Sequence, residues 1–192
     1  MARVMLLGDS IRRSYQALVT EALAREGHLV WGPDENGQFS LYTLASLPRW
    51  LAAFEKPDVV HWNNGLHDIG HNPNRAPVQM PIEVYAANLR FIGRQLRSTG
   101  ARVVWATSTP VHPARPFRHD QWAWRNGEID AYNDAARKVM AEQRIPVNDL
   151  HAVVAADPDG LLSGDQLHLS EAGQVACADA VAAAVRRALA TR

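Results

Sequence analysis

Short, nearly unbroken apolar runs alternate with stretches of helical period along the whole chain, and this alternation constrains the fold more than any other feature. The runs at 3–7, 58–62 and 102–106 (RVMLL, DVVHW, RVVWA) are rich in Val and Leu, as strands buried on both faces of a parallel sheet must be. Two further candidate strands lie at 28–31 and 145–148. Between them, Ile82, Tyr85, Leu89, Ile92 and Leu96 step by three and four, with Gly100 as a stop. Ile129, Tyr132, Ala136 and Val139 repeat the pattern, as do Val175, Ala178, Ala182, Val185 and Leu189. Tyr15, Leu18 and Ala22, followed by Gly27, mark the first helix, and another is predicted over 47–55, with Pro48 in its first turn and Pro57 beyond its end. Such alternation predicts a three-layer α/β fold around a parallel sheet.

At 192 residues the chain fits one domain, 1–192, with a sizeable core. Its 20 basic and 20 acidic residues cancel, which argues against a nucleic-acid partner, since that would require a basic excess. Cys177 is the one cysteine, so no internal disulfide is possible, and its alanine-rich surroundings mark it as a small core residue. No apolar run reaches the length of a membrane span, so no membrane partner is expected. The chain enters its first strand at once, leaving no room for a signal peptide, and a cytoplasmic location is the expectation.

In open parallel sheets, sites form beyond the carboxyl ends of the strands. The segments found there are GDSIRRS after the first strand, GPDENGQFS after the second, HWNNGLHDIG across the end of the third, and TSTPVHPARPFRHDQWAW after the fourth. SGDQLHLSEAG precedes the last helix. Ser10, at a strand-to-helix turn, either caps the helix or exposes its hydroxyl beside free backbone N–H groups. Asp165 and His168 are three residues apart, ahead of a helix that Ser170 can cap. At this spacing a carboxylate can hold one imidazole nitrogen while the other accepts a proton from a nucleophile.

Gly8-Asp9-Ser10, Gly65-x-x-Asp68 and Asp165-x-x-His168 occur together and in that order. The arrangement resembles the SGNH hydrolases, the GDSL family of esterases and lipases, over nearly the whole chain. The resemblance implies a flavodoxin-like α/β/α sandwich with a central parallel five-stranded sheet. It also implies Ser10 as nucleophile, His168 as general base and Asp165 as its orienting partner. The family's second block contributes a glycine N–H to the oxyanion hole; Gly37 in ENGQFS is the best match, and the Ser10 N–H is a further donor. The third block usually carries an asparagine where this chain has His67. Three alternatives follow: His67 donates in its place, Asn63 donates from the same side of an extended chain, or only backbone groups line the hole. Asn64 then points to the opposite face, His61 is a satisfied core histidine, and Asp68 ties down the loop. NNGLHD, together with RNGEIDAYNDAARKVMAEQRIPVNDL, is similar to a branch of the family with an N-x-G-L-H-D third block.

Long connections at 70–81 and 109–127 overhang the expected site. The second carries Trp122 and Trp124, suited to stacking on sugar rings, together with His112, Arg115, Arg118, His119 and Arg125, suited to an anionic group. The expected substrate is therefore a small-molecule or glycan ester. The implied activity is hydrolysis of short acyl esters, O-acetyl groups on carbohydrates first; acyl transfer on the same residues and non-catalytic carbohydrate binding are the alternatives. No metal-ligand spacing, phosphate loop or dinucleotide fingerprint occurs, so neither metal nor cofactor is expected.

Overall fold

A computed structural model describes residues 1–72, 78–115, 117 and 122–191. The five apolar runs form β1 (Arg3–Leu7), β2 (Leu29–Trp31), β3 (Val59–Trp62), β4 (Arg102–Ala106) and β5 (Val147–Asn148). They pair in parallel in the order β2-β1-β3-β4-β5. The central runs carry no outward polar face because both faces are covered: β1 from Val4 to Leu7, and β3 throughout, are buried.

Helices α1 (Ser10–Ala24) and α8 (Glu171–Ala190) pack together on one face. On the other, α4 (Ile82–Ser98) packs against both α2 (Ser40–Ala53) and α5 (Asn126–Gln143). Three short helices complete the chain: α3 (Leu66–Ile69), α6 (Leu150–Ala155) and α7 (Pro158–Leu161). The architecture is the three-layer α/β/α sandwich that the alternation predicts, with the flavodoxin-like arrangement that the resemblance implies. No helix of the described residues is long and apolar enough to cross a membrane.

The structure corrects the sequence reading at three elements. Helix α2 starts at Ser40, not at residue 47, so Pro48 lies well inside it. Phe39, the residue before it, supplies no side-chain cap; the Ser40 N–H donates instead to the Asp68 carboxylate at 3.0 Å, a cap 28 residues away. In α1 the buried face runs through Ile11, Tyr15, Val19 and Leu23, which turns Leu18 out to solvent. In α8 the buried face is Cys177, Ala178, Val181, Ala182, Ala184 and Val185, and Val175 is half exposed. Those small residues let α8 approach α1 closely, and Cys177 is a core residue as expected.

The chain reverses its direction of travel across the sheet between β1 and β3, which is where doubly wound sheets open a crevice. Leu7 lies opposite Trp62 there, so the turn after β1 meets the turn after β3.

Candidate active site

At the end of β1 the chain turns through Gly8 into α1. Asp9 is the cap: its Oδ1 accepts the Ile11 N–H at 2.9 Å. Ser10 is therefore the first helical residue rather than the cap, and its hydroxyl and N–H are left to the crevice. The Ser10 Oγ lies 2.9 Å from His168 Nε2, and His168 Nδ1 lies 2.6 Å from Asp165 Oδ2. With Asp165 accepting from Nδ1–H, Nε2 is the lone-pair nitrogen facing the hydroxyl.

The residues from 163 to 168 hold this pair in place. The Asp165 Oδ1 accepts from the Ser163 hydroxyl (2.7 Å), the His168 N–H (2.9 Å) and the Leu167 N–H (3.1 Å). Ser163 N–H closes the loop onto His168 O at 2.7 Å. Ser170 caps α8 as predicted, accepting the Gly173 N–H. Burial acts to raise the Asp165 pKa, but the bonds from the His168 N–H, the His168 ring, Ser163 and Leu167 outweigh it. The carboxyl is held well below the usual range. Asp165 thus stays ionised beside the imidazole at any pH where an imidazole is neutral.

A cleft of about 540 Å³ opens beside Ser10 and His168. Its walls are apolar, from Leu66, Phe117, Trp122, Trp124 and Leu167, and its polar side chains include Asn36 and His67. The two overhanging connections are joined to each other: His71 and Ala123 exchange both backbone hydrogen bonds, at 2.9 and 3.0 Å. Trp124 donates its indole N–H to Leu66 O at 2.6 Å and stacks on Trp122, with ring centroids 6.1 Å apart. Gly70 leaves the space these rings occupy, since a Cβ there would meet Trp122 at 2.6 Å.

Of the basic residues expected at the rim, the three that are described, His112, Arg115 and Arg125, are not grouped there. His112 is buried against Asp159, which also pairs with Arg115, while Arg125 pairs with Glu128; none of them lines the cleft. Arg118 and His119 lie outside the described residues. Among the described residues no three His, Cys, Asp or Glu side chains converge as metal ligands.

The three alternatives for the hole separate in the structure. Asn63 is buried, donates from Nδ2 to Ala106 O at 2.7 Å and does not line the cleft. His67, at the start of α3, faces the cleft with its ring edge-on to Trp122. Gly37 departs from expectation: its N–H donates to Gly8 O at 3.0 Å and is not free for an oxyanion. Gly37 is required there for a different reason, because a Cβ would meet Gly8 O at 2.6 Å. Its role in the structure is to let the loop after β2 close onto the turn that carries Ser10.

The remaining polar residues are structural. Asn64 points to the other face, accepting from Trp62 Nε1 (2.7 Å) and donating to Gln38 O and Thr43 Oγ1. His61 is buried in β3, burial lowers its pKa to about 4, and its Nε2 accepts from Asn148; its Nδ1 has no partner among the described residues, so it is half satisfied. Asp68 holds the start of α2 through Ser40, and burial pushes its pKa up to about 7. Sequence reasoning missed Asn36, which shares the cleft with His67. The Asn-Gly pair around Gly37 reads as a plain turn, and nothing local shows which way the amide points.

A family model described as GDSL-like lipase/acylhydrolase matches residues 6–176. No curated protein matches the chain. Among solved structures, the chain is similar to an acetyl xylan esterase, AlAXEase (TM-score 0.79, 20% identity, covering 95% of this chain and 99% of that one). It is similar to a lipase/acylhydrolase from Enterococcus faecalis (TM-score 0.75, 22% identity, 97% and 96% covered). It is also similar to Axe2, an acetylxylan esterase from Geobacillus stearothermophilus (TM-score 0.74, 17% identity, 100% and 95% covered). At these identities the structures establish a shared fold.

Proposed function

Because the chain belongs to the GDSL-like lipase/acylhydrolase family, a family of hydrolases, we propose that it is a serine esterase acting on short acyl esters, O-acetyl groups on carbohydrates first among them. The observation that carries this reading is the unbroken line from Asp165 Oδ2 through the His168 ring to Ser10 Oγ, with spacings of 2.6 and 2.9 Å, at the edge of an apolar cleft. The whole chain, 1–192, acts as one catalytic unit.

In the first half-reaction Ser10 Oγ adds to the ester carbonyl carbon while its proton passes to His168 Nε2. The carbonyl π pair moves onto oxygen, and the Ser10 N–H faces the charge that develops, with His67 in the wall of the same cleft. Asp165, ionised and held by four hydrogen bonds, stabilises the imidazolium. The tetrahedral species collapses, the C–O bond to the alcohol breaks, and His168 Nε2–H protonates the leaving alkoxide. Water then adds to the acyl-serine with His168 as base, releasing the acid and restoring the Ser10 hydroxyl.

The substrate class rests on the cleft. Its Trp122 and Trp124 wall offers a stacking surface for a sugar ring. Two of the similar structures are acetyl xylan esterases by name, which agrees with that choice. The same wall can seat a sugar hydroxyl in place of water, which would make the reaction acyl transfer; product analysis with and without added alcohol separates the two.

Hydrolysis of a short aryl acetate tests the reading. Ser10→Ala is expected to lower kcat by at least ~1000-fold while the fold is kept. Unchanged turnover in that variant would show that Ser10 is not the nucleophile.

A further inference from the structure

Of the donors other than Ser10 and His67 that the pattern of motifs offers for the hole, the Gly37 N–H is already engaged, and Asn63, which holds Ala106 O, does not line the cleft. Gly37 N–H is on Gly8 O, Gln38 N–H is on Asn36 Oδ1 at 2.7 Å, and Asn63 Nδ2 is on Ala106 O. The loop after β2 still presents one donor to the cleft, the Asn36 amide.

The orientation of that amide is fixed by its partners. Oδ1 accepts the Gln38 N–H, so the end turned toward His67 is Nδ2, 3.5 Å from Nε2. An amide nitrogen carries two N–H bonds, and only one can point at the imidazole. The other makes no hydrogen bond among the described residues. With Nε2 accepting, the proton of neutral His67 sits on Nδ1.

The loop is also held still, as a preorganised donor must be. Before Asn36, the Glu35 carboxylate accepts from Tyr42 Oη (2.6 Å) and Trp50 Nε1 (2.5 Å) of α2. Arg12 Nη2 donates to Glu35 O at 2.9 Å and also reaches Gly8 O at 3.3 Å. After Asn36, Gly37 is bonded to Gly8. The loop carrying Asn36 and the turn carrying Ser10 are thereby pinned to the same carbonyl.

We propose that Asn36 is a catalytic residue, donating an Nδ2–H to the carbonyl oxygen of the ester as Ser10 adds to the carbon. It fills the place that the resemblance assigned to the Gly37 N–H. The inference rests on the esterase reading of Ser10. The π pair of the C=O moves onto the oxygen, Asn36 and the Ser10 N–H donate to it, and the Ser10 proton goes to His168.

Asn36→Asp and Asn36→Ala, compared on a short aryl acetate alongside Ser10→Ala, test this. Aspartate keeps the Oδ1 that accepts the Gln38 N–H, so it preserves the turn while removing the donor and placing a carboxylate against the oxyanion. The expected result is a loss in kcat on the order of 100-fold or more in both variants, with the aspartate at least as impaired as the alanine. KM should change less, and the melting temperature of Asn36→Asp should match that of the unaltered protein. If Asn36→Asp keeps full kcat while Ser10→Ala loses it, Asn36 only shapes the turn and the proposal is overturned alone. If Ser10→Ala keeps full kcat, the esterase reading falls and takes the Asn36 role with it.

Discussion

Two asparagine-and-histidine neighbours, Asn63 and His67, show how much the role of a residue depends on its partners. Both lie just past β3, and by alternation both can point toward the same space. Asn63 has a partner, Ala106 O, and that bond joins the end of β3 to the end of β4. His67 lies in the cleft wall. The expected outcomes are therefore opposite in kind. His67→Ala should lower kcat on an aryl acetate by ~100-fold or more with little change in melting temperature. Asn63→Ala should cost about 1–2 kcal/mol of stability, the usual value of a buried hydrogen bond, and leave kcat within a few-fold of the starting value. Steady-state kinetics together with urea denaturation of the two variants checks both halves. A large kcat loss in Asn63→Ala at unchanged stability would return that residue to the hole.

At the scale of elements, Asp68 joins α3, which carries His67, to the start of α2, which follows the loop carrying Asn36. Its carboxyl accepts the Ser40 N–H on both oxygens and the Ser40 hydroxyl, and Asn88 braces that hydroxyl in turn. Burial raises its pKa to about 7, with Asp9 adding to the rise, against the bonds from Ser40 that lower it. A carboxyl raised above its unfolded value, near 4, binds its proton more tightly in the native state. Its stabilising contribution is complete below the unfolded pKa and is lost as pH rises from about 4 through about 7. Asp68→Asn has no such proton to lose. Urea midpoints at pH 5 and pH 8 should show the unaltered protein falling relative to this variant; a constant difference across that range would mean that Asp68 titrates normally.

Over the whole molecule, the sheet was legible from sequence because burial on both faces leaves an unmistakable pattern. All five strands fall on the runs predicted for them, the Val- and Leu-rich β1, β3 and β4 most closely, with ends shifted by a residue or two at β2, β3 and β5. The start of α2 was not legible, because its cap is Asp68 rather than a neighbour in sequence. The buried face of α8 was legible only in part: Ala178, Ala182 and Val185 are buried, but a helix made largely of alanine carries little contrast between its sides, and Val175 is half exposed. Ser10, His168 and Asp165 stood out because Gly8-Asp9-Ser10, Gly65-x-x-Asp68 and Asp165-x-x-His168 occur together and in that order, which carries the resemblance to the SGNH hydrolases. The hole did not stand out. Whether Gly37 or Asn63 has a free donor depends on Gly8 O and Ala106 O, which are 29 and 43 residues away and carry no signal of their own. Asn36 was invisible for the complementary reason, since its orientation is set by a backbone N–H.

The central claim is that Ser10 is a nucleophile activated by His168. Intact-protein mass spectrometry after exposure to a serine-directed aryl phosphonate, with peptide mapping of the adduct, tests it most directly. One phosphonyl group should be found, on Ser10, forming at a rate that falls sharply in His168→Ala. An unlabelled Ser10, or labelling at the same rate without His168, would contradict the account.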